Sequence, residues 1–217
     1  MRDEFERQLA LLNEELTTMG GLIESAIANA VKALDGDEHS INKAYDYEKS
    51  IDNKEREIES LSLKLLLTQQ PVASDLRLIS AALKMITDME RIGDQAEDIA
   101  EIIAFLEDRQ AENDAVFREM ARAVIQMVTE SVDAYVKCDI ILAKKVIADD
   151  DYVDDCFARI KQSLISRIAA APTEGEYALD LLMIAKYYER IGDHATNIAE
   201  WVIYSVTGVH KDEITLT

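Results

Sequence analysis

The pentapeptide Glu90-Arg91-Ile92-Gly93-Asp94 returns unchanged as Glu189-Arg190-Ile191-Gly192-Asp193. The register continues beyond it: EDIAE at 97–101 becomes TNIAE at 196–200, keeping Ile, Ala and Glu in step. Two copies at one separation, 99 residues, mark a duplicated structural unit, and any fold for this chain must place the same element twice. Within each copy the two carboxylates stand at i and i+4, which sets them on one face of a helix, where like charges repel. Something positive is expected to answer them.

The flanking patterns are helical. From Phe5, apolar residues fall at Leu9, Leu12, Leu16, Met19, Ile23, Ala26, Ala30 and Ala33, in steps of four and three. Gly20-Gly21 interrupts this seam, at about 1 kcal/mol per glycine relative to alanine, so either a close helix contact or a kink is expected there. Leu34-Asp35-Gly36-Asp37 is a stop-and-turn signal. A second helix is predicted over 39–70, with Ile41, Ala44, Tyr45, Ile51, Ile58, Leu61 and Leu65 inward, ending at Gln70-Pro71 because proline cannot extend the hydrogen-bond ladder. A third runs over 74–107, with Ser74 and Asp75 as its N-terminal cap region. Arg109–Asn113 is polar and reads as the boundary between halves; the plan then repeats. Phe117, Ala121, Val124, Val128 and Tyr135 open a fourth helix, a fifth spans 139–171 before Pro172, and a sixth spans 174–206 before Gly208. The fold class is therefore all-α: two tandem three-helix bundles, six long helices, over residues 1–109 and 110–217.

Composition narrows the function. Hydrophobic residues make up 48% of the 217, enough for a true core. Against 43 acidic residues stand 23 basic ones, a net charge of −20 that disfavours nucleic acid as a partner, since phosphate backbones need Lys and Arg. Cys138 and Cys156 form neither a CxxC motif nor a disulfide framework, the N-terminal MRDEFERQ lacks a signal-peptide pattern, and no apolar run is long enough to span a bilayer. A cytoplasmic location is expected.

A second set of acidic pairs accompanies the pentapeptides. Glu48 and Asp52 stand four apart, and so do Asp150 and Asp154, displaced from the first pair by 102 residues. Each half thus carries one (E/D)xxxD pair on its second helix and one, Glu90/Asp94 or Glu189/Asp193, on its third. Any single pair reads first as solvated helix surface; four placed by the duplication read equally well as carboxylates that converge if the two faces meet. Hard oxygen donors suit Mg²⁺, Ca²⁺, Mn²⁺ or iron, whereas structural zinc favours Cys and His. Asp98 and Asn197 could extend the row. Gly93 and Gly192 sit inside strongly helical stretches, where a missing side chain admits either a bound ion or simply a neighbouring helix. Arg91 and Arg190 read as solvated ion pairs. His194 follows Asp193 directly, and adjacent helical positions diverge, which weighs against it as an extra ligand. His39 and His210 read as surface residues, and Tyr187, Tyr188 and Trp201 as packing groups. Asp75-Leu76-Arg77 has no counterpart at 174–176 and is either a cap or a feature of the first half alone. No GxxxxGK[ST], GxGxxG, HExxH or GxSxG occurs, and no Glu is followed by His three residues later as in di-iron bundles. No catalytic residue is expected; a carboxylate-bridged bundle metalloenzyme is the alternative from another class.

Taken together, ASDLRLISAALKMITDMERIGDQAEDIAE after QQP, and AKYYERIGDHATNIAEWVIY, resemble the PhoU family of accessory regulators of bacterial phosphate uptake. The resemblance covers nearly the whole chain. It implies two three-helix repeats and carries the family's (E/D)xxxD metal motifs onto Glu48/Asp52, Glu90/Asp94, Asp150/Asp154 and Glu189/Asp193. It implies a negative regulator of the phosphate-starvation response rather than an enzyme, peripheral to the membrane through protein partners. Those partners would be the ATPase subunit of the phosphate ABC transporter and a phosphate-sensing histidine kinase. Divalent or iron-type ions are the implied cofactors, and a homodimer is one expected assembly. The repeats depart from symmetry at Glu55 and Glu59, whose counterparts at the 102 offset are Phe157 and Lys161.

Overall fold

The computed structural model describes residues 2–68, 72–106 and 115–209, and all their long elements are helices. They are α1 (Arg2–Leu34), α2 (Glu38–Thr68), α3 (Ala73–Phe105), α4 (Ala115–Lys137), α5 (Ile140–Ala170) and α6 (Gly175–Thr207), with a 3-10 turn at Pro172–Glu174 leading into α6. Gln70, Pro71, the expected boundary Arg109–Asn113 and His210 lie outside the described residues.

The two hairpin turns repeat as faithfully as the pentapeptides. At the end of α1, Asp37 N–H donates to Lys32 O and Gly36 N–H to Ala33 O, with Gly36 at φ 97°. At the end of α4, 102 residues on, Asp139 N–H donates to Ala134 O and Cys138 N–H to Tyr135 O, with Cys138 at φ 52°. Both are Schellman closures around a left-handed residue. Each aspartate then caps the next helix: Asp37 accepts from His39 N–H and Ser40 Oγ, and Asp139 from the N–H groups of Ile141 and Leu142. The start of α3 differs from expectation. Its N-cap is Val72, with no side-chain cap bond. Ser74 and Asp75 therefore fall inside the first turn, where the Asp75 carboxylate still faces the positive end of the helix dipole.

Helices α1–α3 pack on one another, as do α4–α6, giving the two three-helix bundles; α3 against α6 and α1 against α4 join them into one continuous apolar core. The heptad seam of α1 is buried from Leu12 to Ala30, with Leu9 partly covered. Helix α1 runs unbroken through its two glycines: a Cβ on Gly20 would lie 3.4 Å from Val132 of α4, while Gly21 faces open space. Gly20 thus serves helix approach.

Across the α3–α6 seam, Asp88 lies against His194 and Asn197, Asp98 against Tyr187, and Arg77 against Ser205, a falling order that makes the two helices antiparallel. Alanines 81, 82, 96 and 100 on α3, and 178, 185, 195 and 199 on α6, are all buried, keeping the helices thin while costing nothing in helix propensity. Arg77, set apart in the sequence by its missing counterpart, has a definite task here. Its Nε donates to Ser205 O at 3.4 Å, and its guanidinium lies beside Gly208, the left-handed residue ending α6. A cation at that carbonyl-rich end complements the helix dipole.

Candidate metal centre on the paired helix faces

The site is built twice, once between α2 and α3 and once between α5 and α6. The contact that registers each hairpin is a glycine under a β-branched residue. A Cβ on Gly93 would lie 3.0 Å from Ile51 Cδ1, and one on Gly192 would lie 3.4 Å from Val153 Cγ1. Ile51 and Val153 are themselves related by the 102 offset and fully or almost fully buried. Gly93 therefore serves close packing. Gly192 does more: its absent Cβ would also lie 3.0 Å from Asp150 Oδ1, so the glycine keeps room for a carboxylate between the two helices.

In the first half, Glu48, Asp52 and Glu55 of α2 face Glu90, Asp94 and Glu97 of α3, all half-buried. Burial pushes the Glu48 carboxyl above its ordinary range, and the negative charges of Glu97, Asp52 and Asp94 add to the shift. Glu90 is raised by burial and then by Asp94, with Glu55 and Asp52 contributing. Asp94 is raised by burial against the opposing pull of Arg91, Glu97 by burial and Asp94, and Glu55 by burial, Asp52 and Glu59. Asp98 continues the row, raised by burial and Asp94, while the Tyr187 hydroxyl that donates to it pulls the other way. Cross-helix repulsion of this kind arises only where the two faces meet. The cations present are peripheral: Arg91 lies 3.3 Å from Asp94 and 3.6 Å from Glu90, and Arg56 lies 3.2 Å from Asp52, both guanidinium side chains more than half exposed. Solvated pairs of that sort contribute little.

In the second half, burial and the charges of Asp193, Asp154 and Glu189 push Asp150 up to about 6. Asp154 and Asp193 are exposed, Glu189 half-buried and paired with Lys186. All four acidic pairs read from the sequence thus lie on the two hairpin faces, two pairs to each. Sequence reasoning missed Glu97 and Glu101. They follow Glu90 and Asp94 at helical spacing, and the duplication hid Glu97 because Thr196 stands in its place. Among the described residues, no three His, Cys, Asp or Glu side chains are gathered into a group that could hold a metal ion. His194 points to the seam, its Nδ1 2.9 Å from Asp88. Tyr188 is fully buried, and Trp201 packs edge-on against Tyr204 at 5.8 Å.

The chemistry the residues suit is that of an oxygen-rich cation site: carboxylates only, half-buried, on rigid helices, with a glycine cradle beside Asp150.

These features define a class: duplicated three-helix bundles that present a carboxylate face on each repeat. The PhoU domain model matches this chain twice, over residues 16–103 and 117–202. The chain belongs to the PhoU family. It is 36% identical over 215 residues to the phosphate-specific transport system accessory protein PhoU homolog of Clostridium acetobutylicum, covering 97% of this chain and 98% of that one. It is 35% identical to the homolog of the same description from Pseudomonas aeruginosa, over 99% of this chain and 90% of the relative. The crystal structure of PhoU from Pseudomonas aeruginosa superposes with a TM-score of 0.88, covering 94% of this chain and 100% of that one at 35% identity. That of the phosphate transport system regulatory protein PhoU from Streptococcus pneumoniae superposes at 0.86, with 22% identity, over 94% of this chain and 98% of that one, and shares the fold. No helix among the described residues is long and apolar enough to cross a membrane.

Proposed function

We propose that this protein is a cytoplasmic accessory regulator of phosphate uptake, a non-enzymatic adaptor that holds the phosphate-starvation response off when phosphate is plentiful. The observation that carries this is similarity along almost the full length to relatives described as phosphate-specific transport system accessory proteins. The adaptor would join the ATPase subunit of the phosphate ABC transporter to a sensor histidine kinase. Deleting the gene in a host that carries it is expected to release phosphate-starvation reporters at high phosphate. Reporters that stay repressed in the deletion would remove the reading.

The acidic faces support a cation-binding role within that function. Half-buried carboxylates that raise one another's pKa carry uncompensated repulsion, which a divalent cation relieves directly. Glu48, Asp52, Glu90 and Asp94 would hold ions on the first repeat, and Asp150, Asp154, Glu189 and Asp193 on the second, supplying charge neutralisation rather than a reaction. Their rotamers would close onto the ion. A neutralised face can then dock a partner that the bare face, in a chain of net charge −20, would repel. Capture of the transporter ATPase by cation-loaded but not EDTA-stripped protein tests this; equal capture by both would remove the cation from the mechanism.

A further inference from the structure

The two repeats share a backbone and part company at the far end of the α5–α6 hairpin. Asp150 lies beside Gly192, Phe157 beside Lys186 and Arg167 beside Glu174, a falling order that runs the two helices antiparallel. On α5, Phe157, Lys161 and Ile165 stand at i, i+4 and i+8 and share a stripe; on α6, Leu179, Met183 and Lys186 do so at i, i+4 and i+7. The register sets Met183 level with the turn between Phe157 and Lys161, and Leu179 level with the turn between Lys161 and Ile165. Ile165 is 52% exposed, Leu179 57% and Met183 46%, so three large apolar side chains meet solvent on neighbouring turns.

Two cations border them. Lys161 Nζ and Lys186 Nζ stand over the Phe157 ring, 5.8 and 5.7 Å from its centroid, within the range of a cation–π contact. Lys186 also pairs with Glu189, whereas no carboxylate among the described residues pairs with Lys161. The first repeat lacks this surface. At offsets of 102 and 99, the counterparts of the six residues are Glu55, Glu59, Leu63, Ser80, Lys84 and Thr87, and of these Leu63 alone is a large apolar side chain. Single exposed apolar residues are ordinary, but a contiguous set with a polar rim marks an interaction surface.

We propose that this face of the second repeat docks an amphipathic helix of a partner protein, one with apolar residues at i and i+4 and acidic residues beside them. The apolar residues pack on Ile165, Leu179 and Met183 along the furrow between α5 and α6, and the carboxylates reach Lys161 and Lys186. Charge decides the occupant. On a chain of net charge −20, two lysines gathered on one ring select a negative group at that spot. Two are too few to hold so acidic a chain on an anionic bilayer, and two whole copies at that charge repel one another. The inference rests on the adaptor reading for its need of a protein partner, and adds where on the chain that partner sits.

The test uses full-length protein with p-benzoylphenylalanine in place of Leu179. It is mixed with the purified ATPase subunit of the phosphate transporter and, separately, with the cytoplasmic part of the sensor kinase. Irradiation is expected to cross-link one of them through a peptide with apolar residues at i and i+4 and acidic neighbours. Lys161→Glu with Lys186→Glu, and Leu179→Ser with Met183→Ser, are each expected to weaken capture of that partner about tenfold or more. Lys161→Arg with Lys186→Arg should restore capture to near the wild-type level, and thermal melts establish that each variant is folded. Equal capture by wild type and by both weakening variants overturns this inference alone. A wild type that captures neither protein overturns the adaptor reading and the inference together. A cross-link to a second copy of the chain, or flotation on phosphatidylglycerol vesicles that the lysine variant loses, gives the face another occupant and also overturns the inference.

Discussion

Gly192 and Asp150 are held so close that a methyl group on the glycine would lie 3.0 Å from the carboxylate oxygen. The oxygen belongs to a side chain that can swing away, whereas the corresponding space beside Gly93 is filled by Ile51, which is locked in the core. Replacing a mid-helix glycine by alanine gains about 1 kcal/mol of helix propensity. Gly192→Ala should therefore keep or slightly raise the melting temperature while weakening Mn²⁺ binding, because Asp150 is pushed off its position. Gly93→Ala should lower the melting temperature. The same response from both variants would mean that Gly192 has no part in placing Asp150.

The pH dependence has a definite sign. Asp150 titrates near 6 in the folded protein against 3.8 for the free group, so its ionisation opposes folding. Its favourable contribution is complete below the unfolded value and is lost as pH rises through about 6. Glu48, Glu90 and Asp94 are shifted in the same direction. Melting curves in EDTA should show falling stability between pH 5 and pH 7.5. Asp150→Asn should flatten that slope, and saturating Mn²⁺ should offset it. A variant with the wild-type slope would contradict the assignment.

Cys138 occupies the left-handed position that Gly36 fills in the first repeat. A non-glycine residue there carries roughly 1–2 kcal/mol of strain. Cys138→Gly is expected to stabilise the protein by about 1 kcal/mol, or about 2–4 °C for a chain of this size. An unchanged or lower melting point would show the turn to be unstrained.

The α3–α6 seam uses one contact in two chemical forms. Asp88 accepts from Asn197 at 3.1 Å; Tyr187, 99 residues on from Asp88, donates to Asp98, 99 residues back from Asn197. Asp88→Ala leaves His194 and Asn197 without their acceptor and should cost about 1–2 kcal/mol. In a double-mutant cycle with His194→Ala, the coupling should be about 0.5 kcal/mol or more. Additive effects would mean that the 2.9 Å contact does not hold the seam.

Much of this was legible in the sequence. The duplicated pentapeptide and the heptad seam of α1 imposed a repeated all-helical plan, because period and propensity act along one helix. The Leu34–Asp37 signal located the first hairpin turn, and the fifth helix begins beside the expected Asp139. The four acidic pairs fell on the predicted faces because i, i+4 spacing fixes a face. What escaped depended on neighbours from other helices. Val72 rather than Ser74 stands at the N-cap position of α3, without a side-chain cap bond. Asp88 gains meaning only from His194 across the seam. The convergence of Lys161 and Lys186 on Phe157 joins α5 to α6, and single-helix periodicity carries no information about which residues meet between helices.

The central claim, that the repeated carboxylate faces hold cations, is tested most directly by anomalous diffraction from crystals grown with Mn²⁺. Peaks are expected between α2 and α3 near Glu48, Asp52, Glu90 and Asp94, and between α5 and α6 near Asp150, Asp154 and Asp193. Well-diffracting crystals with no manganese at either face, or with manganese only elsewhere, would contradict it.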